Sequence, residues 1–187
     1  MTGHVLFIQG GGDGGYEADT KLVASLCEAL GETYSVYYPR MFIEDKPDFG
    51  WCQQIGDEIV GIKKDVILVG HSLGASLLMK YLSENEMKNR IVGVFLISTP
   101  FWSGGEEWVQ GLKLDEAFDN RLPQDVPIFF YHCHDDEVVS FDQFLLYRQK
   151  LPWATFREIN SGGHQLNNDL TPVAMDIKAL RKPVFMR

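Results

Sequence analysis

A serine, a pair of aspartates and a histidine stand in this chain in that order, each shortly after an apolar run. Ser72 lies in Gly70-His71-Ser72-Leu73-Gly74, directly after Val66-Ile67-Leu68-Val69. Asp135 and Asp136 follow the run Ile128–His132, and His164 follows Thr155–Ile159 and the stretch Asn160-Ser161-Gly162-Gly163. A hydroxyl is a poor nucleophile near neutral pH and needs a base within hydrogen-bond reach. Imidazole suits that task, and a carboxylate behind it holds its tautomer and steadies its charge. These residue types carry acyl transfer, provided the fold brings them to one edge.

The spacing around Ser72 has its own logic. G-x-S-x-G between a strand and a helix is a sharp turn that lifts the hydroxyl above a sheet edge. Ser72 is expected at positive φ, with Gly70 and Gly74 brought too close together for side chains. Ala75 and Ser76 then let the helix pack closely, and the Leu73 N–H faces the space where negative charge would develop. Carboxylate and imidazole lie beyond strand C-terminal ends, the same edge as the serine. Two glycines before His164 allow its loop to bend inward.

A second glycine-rich stretch, Gly10-Gly11-Gly12-Asp13-Gly14-Gly15, follows the apolar run after His4. Gly10, Gly12 and Gly15 satisfy G-x-G-x-x-G, which admits a nucleotide-binding reading. That fingerprint wants an acidic residue after the second strand, where this chain has Tyr37-Tyr38-Pro39-Arg40. No Gly-Lys-Ser/Thr follows, which excludes a P-loop. The competing reading is that these N–H groups face an oxyanion.

The elements that would position these residues alternate. Strands are expected at Val5–Gln9, Tyr34–Tyr37, Val66–Gly70, Ile91–Ser98, Ile128–His132 and Thr155–Ile159. Several are continuously apolar, as strands covered on both faces are. Helices are expected at Glu17–Leu30, Asp48–Ile62, Leu73–Glu84, Phe141–Leu151 and Pro172–Leu180. The first carries Leu22, Leu26, Ala29 and Leu30 on one stripe and stops at Gly31. Alternation of this kind predicts an α/β fold: a three-layer α/β/α sandwich around a mainly parallel sheet of about six strands. The interval 99–126 breaks the rhythm, with one short helical pattern near Glu106–Leu112. It reads as an insert or flap in a single domain spanning 1–187.

Composition narrows the classes. At 187 residues, with 45% hydrophobic and 23% charged, the chain can fill one core. A net charge of −9 without a basic cluster argues against a nucleic-acid partner. No apolar run is long enough to cross a bilayer and no signal peptide is recognisable, so a cytoplasmic protein without membrane partner is expected. Cys27, Cys52 and Cys133 are odd in number and widely spaced, two within helix patterns, and are expected as buried thiols in a reducing compartment.

Glycine loop, GHSLG turn, DDEVV turn and GGHQLNNDL segment together resemble the α/β-hydrolase fold family. Within it the chain is similar to the small serine hydrolases without a large cap, of the retinoblastoma-binding type. The resemblance spans nearly the whole length. It implies a catalytic triad of Ser72, Asp136 and His164, because the family's acid precedes an x-Val-Val stretch and so matches Asp136 better than Asp135. It further implies an oxyanion hole made by the backbone N–H of Leu73 and of Gly11, with Gly12 as the alternative register, since Gln9 replaces the usual histidine. The expected activity is that of a carboxylesterase-like serine hydrolase acting on a small-molecule acyl substrate, an ester or else a thioester or amide. No metal or organic cofactor is expected.

Two other readings stand beside it. His132-x-His134-x-Asp136 resembles the start of a metallo-hydrolase motif, with Glu137 where its last histidine would be. A hydrolase scaffold can also serve as a non-catalytic module that binds a protein partner. Phe101, Trp102, Trp108 and Phe118 in the insert are expected either to line an apolar substrate pocket, chiefly through Trp102 and Trp108, or to cover the core.

Overall fold

The apolar runs become six parallel strands: β1 (Gly3–Ile8), β2 (Tyr34–Tyr37), β3 (Val66–His71), β4 (Ile91–Ile97), β5 (Ile128–Cys133) and β6 (Thr155–Ile159). Their order in the sheet is β2-β1-β3-β4-β5-β6, with every pairing parallel. This computed structural model describes residues 3–12, 14–87 and 90–180. Asp13, inside the glycine loop, lies outside the described residues.

Alternate residues of the central strands face opposite layers, as a pleated strand requires. Leu6, Ile8, Leu68, Leu96 and Phe130 pack with Trp51, Ile55, Leu77, Leu78, Phe144 and Tyr147. Those partners come from α2 (Trp51–Ile62), α3 (Leu73–Glu84) and α6 (Phe141–Lys150). Val5, Phe7, Ile67, Val69, Phe95, Ile97 and Tyr131 pack on the other face with Leu22, Leu26, Val173 and Ile177. These belong to α1 (Gly15–Leu30) and α7 (Thr171–Ala179). The expected three-layer α/β/α sandwich is therefore observed. Each fully buried aliphatic or aromatic side chain contributes roughly 1.5–3 kcal/mol, so both layers are needed to offset the cost of ordering the chain.

Two helix starts differ from the sequence pattern. Asp48 does not open α2; its carboxylate accepts from Gly50 N and Cys52 N, while Phe49 and Gly50 sit at φ 58° and 74°. That left-handed pair delays the helix to Trp51. α1 begins at Gly15 rather than Glu17, because Gly15 tucks beneath the Gly10 carbonyl, where a Cβ would stand 2.3 Å from that oxygen. The cysteines are free, but Cys27 is exposed, Cys52 half-buried and Cys133 alone buried. Cys27 points outward because it lies off the Leu22–Leu26–Leu30 stripe.

The strand order reverses between β1 and β3: the chain steps outward to β2, then returns to the far side of β1. Ligands bind α/β sheets at such a crevice, beyond the strand C-termini. Ile8 pairs with Gly70 there, so the glycine loop and the Ser72 turn leave the sheet side by side. β4 continues into the insert, which holds two short helices, α4 (Glu107–Gln110) and α5 (Phe118–Arg121). The second of these has no signature in the sequence pattern.

Candidate active site

Ser72 adopts φ 51° and ψ −120°, a left-handed conformation that costs of the order of 1–3 kcal/mol for a residue with a side chain. Its N–H donates to the Ile97 carbonyl at 2.9 Å, and its own carbonyl accepts from Ser76 N at 3.1 Å, so β4 and α3 hold the turn from both sides. The two glycines are needed, though not because they crowd each other. A Cβ at Gly74 would stand 2.2 Å from the Gln9 carbonyl oxygen, and one at Gly70 2.8 Å from Ala75 Cα. It is the first residues of α3, pressed against the end of β1 and the floor of the turn, that exclude side chains.

His164 Nδ1 lies 3.0 and 2.9 Å from the two carboxylate oxygens of Asp136. Asp136 Oδ1 also accepts from Val138 N and Val139 N, both at 2.9 Å. Burial alone would raise this carboxyl, but His164 and the Val139 and Val138 N–H groups outweigh it and bring it down to about 2. Burial pushes the His132 imidazole below its ordinary range, and its Nε2 donates to the Val139 carbonyl at 2.8 Å. The Val138–Val139 turn is thereby fixed around the acid.

Asp135, the alternative acid, has a different task. Its Oδ1 accepts from Gly162 N and Gly163 N, both at 2.9 Å, which folds the His164 loop inward. Gly162 and Gly163 sit at φ 153° and 61°, a pair of conformations open chiefly to glycine. His134 is turned outward to Glu158 at 3.2 Å. Among the described residues no three His, Cys, Asp or Glu side chains are grouped to hold a metal ion.

Ser72 and His164 line one cavity of about 630 Å³, together with Gly11, Gly12 and Leu73. Among the described residues no hydrogen bond joins Ser72 Oγ to His164 Nε2; in substrate-free sites that link is often long and tightens in the reactive complex. Gly11 lies against Leu73, where a Cβ would meet Leu73 Cδ2 at 2.8 Å, so the two backbone segments flank the same space. Gly12 is exposed at φ 88° with nothing near its missing side chain, and only Gly11 is pressed against the turn.

Beyond this polar corner the cavity is mostly apolar. Phe49, Phe101, Trp102, Trp108, Val109 and Leu112 contribute walls. Trp102 is fixed by a 2.9 Å bond from its Nε1 to Ser76 Oγ on α3. Trp108 meets it edge to face at 5.7 Å and is 59% exposed. Phe118, grouped with these aromatics by sequence, is instead 1% exposed within the core. α5 turns that ring inward, toward the sheet. Arg40, after β2 where the nucleotide fingerprint wants an acidic residue, pairs with Glu17 and lies 4.3 Å over the Tyr16 ring.

The family model described as serine hydrolase matches residues 35–170. The chain belongs to the serine hydrolase family. Solved structures agree on the fold. SOBER1 from Arabidopsis thaliana superposes with a TM-score of 0.73 at 15% identity, over 97% of this chain and 100% of that one. A putative hydrolase of the alpha/beta superfamily from Xanthomonas campestris gives 0.65 at 19% identity, covering 97% and 99%. Est1E from Butyrivibrio proteoclasticus gives 0.71 at 16%, covering 95% and 87%. No curated protein matches the chain by sequence. Among the described residues no helix is long and apolar enough to cross a membrane.

Sequence reasoning overlooked two residues at this serine hydrolase site. Phe49 lines the cavity from the loop before α2, where its left-handed backbone lets it leave the helical stripe. Asp19 is buried under the glycine loop and accepts from Gly10 N at 2.7 Å. A signal for Asp19 existed: it sits at helical spacing from Leu22, Val23 and Leu26, a carboxylate on an apolar stripe.

Proposed function

We propose that this family member hydrolyses a small carboxylic ester, or a related thioester or amide, through an acyl-enzyme on Ser72. The observation that carries the reading is the two-point contact of His164 with Asp136, on a loop lining the same cavity as the strained Ser72 turn. Ser72 Oγ attacks the carbonyl carbon while His164 Nε2 takes its proton. The oxyanion forms between the N–H groups of Leu73 and Gly11, where two such donors contribute several kcal/mol to the transition state. Protonated His164 then returns the proton to the leaving group, with Asp136 holding the imidazolium. A water molecule, deprotonated by His164, releases the acid.

The cavity supports an apolar or aromatic group on one side of the scissile bond, resting on Trp102 and Trp108. No step calls for a metal or organic cofactor. The site sits in one hydrolase unit with the insert as its partial cover.

The test is labelling by a fluorophosphonate probe, with wild type beside Ser72→Ala. Wild type should label and turn over a short-chain ester, while the variant should do neither, with turnover down by about 10⁶-fold. An unlabelled, folded wild type would instead favour the protein-binding scaffold.

A further inference from the structure

A second carboxylate–imidazole pair lies beneath the first. Asp19 and His71 are each 1% exposed, with His71 Nδ1 at 2.9 and 3.0 Å from the two carboxylate oxygens. Burying such a pair is costly, and replacing one by apolar residues is often neutral or stabilising, so stability is a weak reason for its presence. Its connections supply a better one. His71 precedes Ser72, and its Nε2 lies 3.0 Å from the main-chain carbonyl oxygen of His164. Ser98 Oγ donates to that same oxygen at 3.0 Å, filling both of its acceptor positions. Asp19 meanwhile accepts from Gly10 N at 2.7 Å and from Gln165 Nε2 at 3.2 Å.

A carbonyl oxygen can only accept, so His71 Nε2 must donate to it. Nδ1 and the Asp19 carboxylate, 2.9–3.0 Å apart, share a further proton between them, since two facing lone pairs would repel.

We propose that Asp19 and His71 are positioning residues that lock three separate segments into one reactive geometry: the glycine loop at Gly10, the turn at Ser72, and the main chain of His164. This rests on the acyl-transfer reading above. Neither side chain touches substrate; the pair sets where the base stands relative to the nucleophile. Small displacements of reacting groups cost about 10²-fold in rate, which is the size of effect expected here.

Two measurements test it. In the first, ¹⁵N-histidine NMR of the unaltered protein should show a proton on His71 Nε2, hydrogen-bonded to the His164 carbonyl, the signal being assigned through the His71 backbone amide. A His71 Nε2 that carries no proton would overturn the scheme. In the second, Asp19→Asn and His71→Gln should each lower kcat for a short-chain ester about 10²-fold with KM little changed. The double variant should be little worse than the poorer single one, because the two act as a unit. Wild-type kcat in a folded variant, or a raised KM with kcat intact, would refute the positioning role. Should the variants fail to fold, the NMR measurement still decides. A wild type inert toward both probe and ester would sink the hydrolytic reading alone, leaving the His71 protonation result to stand or fall separately.

Discussion

The Ser72 turn and the insert after β4 border the same cavity, yet different forces hold them. The turn is gripped by backbone against backbone, with Gly74 under the Gln9 carbonyl and Gly70 under Ala75. Apart from Gly111, which abuts the Pro47 carbonyl, the insert is tied down by side chains reaching from elsewhere. Trp102 bonds to Ser76, Phe101 N donates to Gln143 Oε1 at 2.7 Å, and Lys80 Nζ donates to the Lys113 carbonyl at 3.0 Å. Steric exclusion dictates residue type at a position, whereas a tether needs only some donor and some acceptor. The first region therefore tolerates little change, and the second a good deal except at Gly111.

Exchanging glycines across the two regions tests this difference most severely. Gly74→Val would drive a branched side chain into the end of β1, costing on the order of 3 kcal/mol or more, with loss of probe labelling. Gly105→Val in the insert meets open space and should stay within about 0.5 kcal/mol of wild type. Urea unfolding of the two variants gives the comparison directly. Equal stabilities would mean that backbone crowding does not govern the turn.

Next in size is the Asp136 carboxylate behind His164. Asp136→Asn should lower kcat by about 10⁴-fold, because the amide cannot hold the required imidazole tautomer. The carboxyl is lowered in the folded state from 3.8 to about 2, so the stability it contributes is complete above its unfolded value. That contribution is lost as pH falls from about 4 through about 2, and the acid-unfolding curve of Asp136→Asn should lack this part. An unchanged acid limb in the variant would count against the assignment.

The same division explains what could be read from the sequence. α3 and β2 fall where their patterns place them, because apolar periodicity and the glycines around Ser72 leave little choice. Six parallel strands follow from continuous apolar runs, since a strand covered on both faces needs no polar side. The start of α2 was misjudged because Asp48 caps from outside the helix, across Phe49 and Gly50. Phe118 takes the core-covering one of the two roles expected for the insert aromatics, because composition does not reveal which way a short helix turns its rings. The x-Val-Val stretch points to Asp136 over Asp135 in the sequence, and the path of the chain sends Asp135 to the Gly162 and Gly163 N–H groups and Asp136 to His164. Asp19 is the instructive omission, since its partners Gly10, His71 and Gln165 are remote from one another along the chain.

The smallest effects belong to the insert itself, where two tryptophans meet edge to face but differ in anchorage. Trp102 is half-buried and bonded to α3, so Trp102→Ala removes both a cavity wall and the tether that seats it. Trp108 is exposed over much of its surface, so Trp108→Ala trims the rim and leaves the wall standing. One methylene in an apolar pocket is worth about 1–3 kcal/mol of discrimination, so Trp102→Ala should shift the preference among short and longer acyl esters about tenfold. For Trp108→Ala the shift should be only a few-fold, because a rim residue desolvates less of the substrate. Comparing kcat/KM along an ester series gives both numbers. An unchanged chain-length preference in Trp102→Ala would mean that the ring covers the core without gripping the substrate, and the insert would then be a cover for the sheet edge rather than a wall of the pocket.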